Sequence, residues 1–403
     1  MVRHAPLWLE RFPKSKRPAY PRWRGDAETG VVVIGGGLTG CSTAYALSQA
    51  GVAVILLEAE RLGAGSTSAS SGLIREDFDA SFQATTRAHG LRTARTLWTG
   101  ARRASLDFAA ALRRLSIRCD LDPIALLQVS LRDGATLKRE QDARRGASLD
   151  HTWQTPAAAR RATGLDTDGA IAGRGFTCDP FKACLGLAAA AAARKARIFE
   201  QSPVTRIRDR RRSIEITTAT GTIHAESAIV ATSARLADLR ALRRHLTPFH
   251  RYTVVTDPLD TVVRKAIGPP AAVVQDDDAP SHLVQWLKDG RVMVTGADQP
   301  AVAPRTLPQA LTQRTGQLMY ELSLLYPPIS GTLPAWSWAQ PYDATVDGLP
   351  YLGPHRNFPR HFFALGDARH GPGASWLASR LAMRWVTGRP EKGDEAFGFG
   401  RVL

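Results

Sequence analysis

The sequence predicts a mixed α/β protein, a helix-covered parallel sheet joined to an antiparallel one, and two stretches carry that prediction. Residues Val31 to Glu58 read VVVIGGGLTGCSTAYALSQAGVAVILLE: an apolar run, a glycine turn, a helical stretch and a second apolar run. This is the pattern of a strand-helix-strand unit. Residues 281–296 read SHLVQWLKDGRVMVTG, two strand-like runs separated by Asp289-Gly290, the strongest short-range hairpin signal. RYTVVTD, from Arg251, is a further candidate strand. With 403 residues, 44% of them hydrophobic, the chain can bury a substantial core as two domains or one large composite.

Composition narrows the function classes. The net charge is +16, but 45 of the 53 basic residues are arginines spread over nearly every segment. No recognition helix, zinc finger or RNA-binding signature accompanies them, so nucleic acid is not an expected partner. Cys41, Cys119, Cys178 and Cys184 form no C-x-x-C and no metal spacing with histidine, and read as reduced thiols with no metal. The N-terminal 29 residues are basic and rich in Pro and Trp, without the apolar core of a secretory signal. No uninterrupted apolar run approaches the roughly 18 residues of a membrane span. The expected location is cytoplasmic.

Taken in chain order, the first unit is the most specific. Gly35, Gly37 and Gly40 occupy the G-x-G-x-x-G positions, which allow a tight turn, backbone approach to a pyrophosphate and close helix–strand contact. The helix starting near Leu38 directs its free N–H groups at the phosphates. Glu58 ends the second run 18 residues after Gly40, where a carboxylate accepts from both ribose hydroxyls and disfavours a 2'-phosphate. The segment AERLGAGSTSASSGLIRED, Ala59 to Asp77, is rich in small residues, so its backbone can lie against a flat or charged ligand. Residues 81–118 read as one long or two stacked amphipathic helices. An alanine-rich helix is expected from about Pro180 to Ala196, and three strands between 203 and 234, an insertion that in several flavoprotein folds brings the backbone of a residue like Val204 to the adenine. HFFALGD is then a strand ending in Asp367, a carboxylate for ribitol hydroxyls. Gly371, Pro372, Gly373 and Ala374 precede the helix SWLASRLAMRWVTG, whose start offers N–H groups to an electron-rich flavin. One fingerprint in the whole chain favours FAD alone over FAD with NAD.

These residues resemble a known family. The fingerprint with Glu58, the GAGSTSASSG loop, GFTCDPFKACLGLA, ESAIVATSA, TVDGLPYLGP and FALGDARHGPG resemble the FAD-dependent D-amino-acid, glycine and sarcosine oxidase (DAO) family over most of the chain. The style is that of the bacterial branch of gamma-glutamylputrescine oxidase-like proteins, whose N-terminal arm also carries a Leu-Trp, here Leu7 and Trp8. The resemblance implies a Rossmann-like FAD-binding domain of discontinuous segments (30–100, 170–235 and 335–403), a substrate domain with an antiparallel sheet (101–169 and 236–334) and an N-terminal arm (1–29). It implies non-covalent FAD held by Gly35, Gly36, Gly37, Leu38, Thr39, Gly40, Glu58, Ala59, Arg61, Ser66, Thr67 and Val204, and by Gly366, Asp367, Gly371, Pro372, Gly373 and Ala374. No cysteine lies near the C-terminal loop to link the flavin covalently. The chain departs from the family's pattern at Ala69 and Ser70, where Arg and Asn are usual, at Thr67 for Ser, and at Arg369 for Gly.

The activity implied is oxidation of a carbon–nitrogen bond of a small-molecule amine or amino acid by hydride transfer to flavin, with O2 as acceptor giving H2O2. Two alternatives stand beside it: a dehydrogenase passing electrons to a quinone or electron-transfer protein, and a non-catalytic flavoprotein acting in assembly. Candidate catalytic residues are Arg75, for bidentate pairing with a substrate carboxylate, His370, as hydrogen-bond partner or base, and Arg369, facing reduced flavin. Tyr252, Gln285 and Trp286 sit on roof strands, where alternation lets either Gln285 or the set His282, Val284 and Trp286 face the flavin. Trp336, Trp338 and Tyr342 read as core aromatics rather than a substrate cage, and Asp347 as a turn residue. The arm wraps the surface, joins a partner subunit or is a disordered tail, and oligomerisation is left open.

Overall fold

A computed structural model of the chain describes residues 2–402 apart from 233–236, 269–271 and 279. Its first sheet is built around Ala27–Ile34, whose last four residues are buried, as expected for a parallel strand covered on both faces. Val54–Leu57 pairs parallel on one side and Gly221–Val230 on the other. Arg197–Phe199 extends the first side. Phe358–Leu365 (parallel) and Tyr351–His355 (antiparallel) extend the second. The strands Val204–Asp209 and Ile214–Thr218 form a hairpin attached to Gly221–Val230, which is the three-stranded insertion expected from sequence. The last two residues of ESAIVATSA, 233 and 234, lie outside the described residues.

Three helices cover one face of this sheet: Leu38–Gln49, Pro180–Ala192 and Gly371–Val386. Cys41, Tyr45, Ala183, Leu187, Trp376 and Leu377 share one core with Val31, Val33, Val54 and Leu56. The alanine helix stops at Ala192, short of the expected Ala196, because Lys195 turns to a φ of 69° before Arg197–Phe199 begins. The C-terminal helix starts four residues earlier than its apolar pattern suggests, with Pro372 in the first turn, where a missing N–H costs nothing. The scaffold Phe82–Arg114 is two helices joined at Gly90, φ 79°.

The second sheet runs in the order 334–345, 246–256, 292–300, 283–286, 272–275, 122–129, 170–177, 73–75, with Thr152–Gln154 beside Ala170–Thr177. The Asp289-Gly290 hairpin forms as expected, joining Leu283–Trp286 to Val292–Pro300, with Gly290 at φ 79°. Helix Leu307–Leu325 backs this sheet through Leu311, Leu318 and Leu322 against Val254 and Val294. Sheet membership does not follow the segment boundaries expected from sequence: Leu73–Arg75, Ala170–Thr177 and Pro334–Thr345 all pair here. Alternation along a strand reports which residues share a face but not which sheet the strand joins.

The N-terminal arm folds onto the body. Leu7 and Trp23 are buried, Arg3 bridges to Trp336, and Glu10 accepts from Trp336 Nε1 at 2.7 Å. All four cysteines are free and buried.

Candidate active site

Four parallel strands of the first sheet end at one cavity of about 350 Å³, lined by Gly35, Glu58, Thr232 and Gly366, each at most two residues beyond its strand. Ligands of open α/β sheets bind outside the carboxyl ends of the strands. Gly35 sits at φ 108°, where a Cβ would meet the Ala231 carbonyl at 2.7 Å, and a Cβ on Gly40 would lie 1.8 Å from the Gly35 oxygen. Both glycines are therefore required by the turn itself. Glu58 is fixed at the cavity edge: one oxygen accepts from Gly36 N at 2.6 Å and the other from Glu60 N at 2.7 Å. Burial raises its carboxyl above the usual value, against the lowering effect of those N–H groups.

Of the residues expected to hold the cofactor, Gly35, Gly37, Leu38 and Thr39 line the cavity at the fingerprint, and Glu58, Ala59, Ser66 and Thr67 at the next strand end and loop. Gly366, Asp367, Gly371 and Pro372 line it at the C-terminal turn. Asp367 is buried and accepts from the Thr39 hydroxyl, whose oxygen lies 2.9 Å from Ser375 Oγ. Burial pushes its carboxyl up to about 6. Gly36, Gly40, Gly373 and Ala374 lie behind the lining; a Cβ on Gly373 would meet Ser105 Oγ at 2.5 Å. Arg61 pairs with Glu200 at 2.6 Å and, with Ala59, Pro203 and Thr218, borders a neighbouring cavity of about 470 Å³. Val204 follows Pro203 there.

These residues fit FAD. The glycine turn and the helix start at Leu38 suit the pyrophosphate, Glu58 the ribose, and Asp367 the ribitol, all around one continuous cavity. The cradle includes a loop whose carbonyls are held from outside. Gln340 Nε2 donates to Ser66 O (3.3 Å), Trp338 Nε1 to Ala69 O (2.9 Å), Trp8 Nε1 to Ser70 O (2.8 Å) and Gln285 Nε2 to Ser71 O (3.2 Å). Thr67 Oγ1 accepts the N–H of Leu38 at 2.8 Å, so the first amide of that helix, expected from sequence to be free, already has a partner. Gln285 thus belongs to the face toward the loop. Val284 and Trp286 face the backing helix side, with Trp286 edge-on to Tyr326 at 5.4 Å.

The three catalytic candidates are close together but do not line the cavity; Gln340, Tyr342, Asp343 and Ala368 line that end. Arg75 is 7% exposed and each of its three nitrogens has a partner: it pairs with Asp77 at 2.6 Å, with Asp79, and with Gln275 Oε1 at 3.0 Å. A substrate carboxylate would have to displace these partners. Arg369 Nε meets Asp79 at 2.7 Å, and its Nη1 donates to the Tyr342 hydroxyl at 3.3 Å. Tyr342 in turn donates to Asp298 at 2.6 Å, which pairs with Arg251 at 2.8 Å. Burial would raise the Asp79 carboxyl, but Arg75, Arg251 and Arg369 outweigh it and hold it well below the carboxylate range. His370 packs edge-on to Phe78 at 5.3 Å, and burial pushes its imidazole down to about 3. The ring is neutral at physiological pH and is no proton acceptor of matched strength there.

Asp79, Arg251, Asp298 and Gln340 escaped sequence reasoning, since isolated charged residues on strands and turns carry no periodic signal. Asp347 is structural: it pairs with Arg401 at 2.7 Å and caps Leu349 N at 3.2 Å.

Comparison with known proteins agrees with this geometry. The family model described as FAD dependent oxidoreductase matches residues 30–385. Gamma-glutamylputrescine oxidoreductase of Escherichia coli is 25% identical over 376 residues, covering 90% of this chain and 85% of that protein. The crystal structure of glycine oxidase from Geobacillus kaustophilus superposes with a TM-score of 0.76 at 22% identity, covering 93% and 99% of the two chains. L-proline dehydrogenase from P. horikoshii gives 0.74 at 18% identity, covering 94% and 97%.

Proposed function

This chain belongs to the family of FAD-dependent oxidoreductases, and from that premise we propose that it oxidises the carbon–nitrogen bond of a small amine or amino acid, with O2 as final acceptor giving H2O2. When bound, FAD supplies the hydride acceptor. The observation that carries the substrate class is the end of the cavity beyond Asp367, a small polar end lined by Gln340, Tyr342 and Asp343. Behind them, Asp79 and Asp298 neutralise most of the charge of Arg75, Arg251 and Arg369. A pocket so balanced accepts a neutral amine, the form that gives up hydride, without a strong field to protonate it. The matched proteins named above also all carry nitrogen-containing substrates in their names.

Within this reading Arg369 is a positioning group behind Tyr342 rather than a direct ligand of the substrate, since Tyr342 lines the cavity and Arg369 does not. Tyr342 orients Arg369 from one side and Asp79 from the other. His370 holds the turn against Phe78 and leaves the proton traffic to water and substrate.

The test is purification with the native chromophore and anaerobic addition of a panel of amines and amino acids. Loss of the visible flavin absorbance with at least one of them is expected; a chromophore that no amine or amino acid bleaches would sink the proposal. Readmission of air then separates the acceptors. Rapid return of colour supports O2, whereas slow return points to a dehydrogenase.

A further inference from the structure

A second and larger cavity, of about 710 Å³, lies between helix Phe82–Arg114, the C-terminal half of Gly371–Val386 and the segment 391–397. Six cations and three carboxylates line it. The carboxylates are already taken by two of the cations: Arg103 meets Glu391 at 3.4 Å and Asp107 at 3.9 Å, and Arg384 meets Asp394 at 2.6 Å. Among the described residues, Arg92, Arg95, Arg380 and Lys392 have no carboxylate partner. Arg92 and Arg95 are three residues apart and so share a helix face, and Arg380 faces them from the other helix. The floor between is apolar, made by Leu377, Phe397 and Ala104, with Phe397 against Gly100, where a Cβ would approach its ring to 2.7 Å.

We infer that this cavity binds a small amphiphilic anion, with a multiply charged group on the free arginines and an apolar body on Leu377 and Phe397. The volume is that of a small-molecule site. Guanidinium groups suit phosphate and carboxylate by forked hydrogen bonding, and four uncompensated cations in one concavity concentrate anions there. The site is separate from the cofactor cavity, yet one helix serves both: Gly371, Pro372 and Ser375 line the first, and Leu377, Arg380 and Arg384 the second.

Isothermal titration of the FAD-loaded protein with dodecyl phosphate and with inorganic pyrophosphate tests the inference. Dodecyl phosphate is expected to bind saturably at one site and at least tenfold more tightly than pyrophosphate. The variant Arg92→Gln/Arg95→Gln/Arg380→Gln should weaken it at least tenfold. Removing three exposed arginines of the hairpin 204–218, by Arg206→Gln/Arg211→Gln/Arg212→Gln, should change it less than twofold. An equal loss in the hairpin variant would overturn the site in favour of diffuse charge. Equal affinity for pyrophosphate would remove the apolar half of the inference, and no saturable binding would remove all of it. Co-sedimentation of the parent chain, but not the cavity variant, with phosphatidylglycerol vesicles would reassign the face to a membrane surface.

Discussion

His282 is expected to make the stability of this protein fall as pH rises from 6.5 through about 9. Its Nδ1 lies 2.6 Å from Asp276 and its Nε2 2.9 Å from Glu321, with the side chain 8% exposed. Asp278 is 4.0 Å away. Burial alone would lower the imidazole, but Asp276 and Glu321 outweigh it and push it up to about 9 from 6.5. The folded state therefore holds a proton that the unfolded chain releases. That stabilisation is complete below pH 6.5 and is lost as pH rises through about 9. The difference between the two values corresponds to about 3 kcal/mol. Chemical denaturation of the parent and of His282→Gln from pH 6 to pH 10 measures it. The parent should lose about 3 kcal/mol more than the variant over that range, whereas parallel curves would refute a charged His282 clamped between two carboxylates.

Four further outcomes follow from the same geometry. Glu58→Ala removes a carboxylate from the cavity edge and should weaken FAD retention by about 1.5–3 kcal/mol, read as released flavin on dilution, with the fold intact by circular dichroism. Gly40→Ala places a methyl group 1.8 Å from the Gly35 oxygen and should abolish FAD loading or soluble expression, seen in the flavin-to-protein ratio. Asp79→Asn leaves buried arginines under-compensated and should cost about 3–5 kcal/mol, a lowered Tm that added FAD does not restore. Trp8→Phe removes one donor from the loop at Ser70 and should cost about 1 kcal/mol, with faster FAD loss than from the parent and no change in secondary structure.

The sequence by itself determined the parts whose signal is local. The fingerprint, the helix from Leu38, Glu58, the Asp289-Gly290 hairpin and the strand ending at Asp367 each follow from a glycine requirement, a periodicity or a turn preference carried by neighbouring residues. Those features converge on one cavity, since the carboxyl ends of parallel strands meet wherever such strands pair. Tertiary structure decided what depends on residues far apart in the chain. Trp8, Gln285 and the strand neighbours Trp338 and Gln340 come from three distant segments to hold four carbonyls of the loop 66–71. Arg75 is a candidate carboxylate ligand from its place beside that loop, yet Asp77, Asp79 and the remote Gln275 each engage one of its three nitrogens. In FALGDARHGPG, Asp367 reaches the cavity as its strand predicts, while burial against Phe78 makes His370 neutral and Asp79 claims Arg369. Desolvation and ion pairing are sums over all neighbours in space, and no window of sequence contains them.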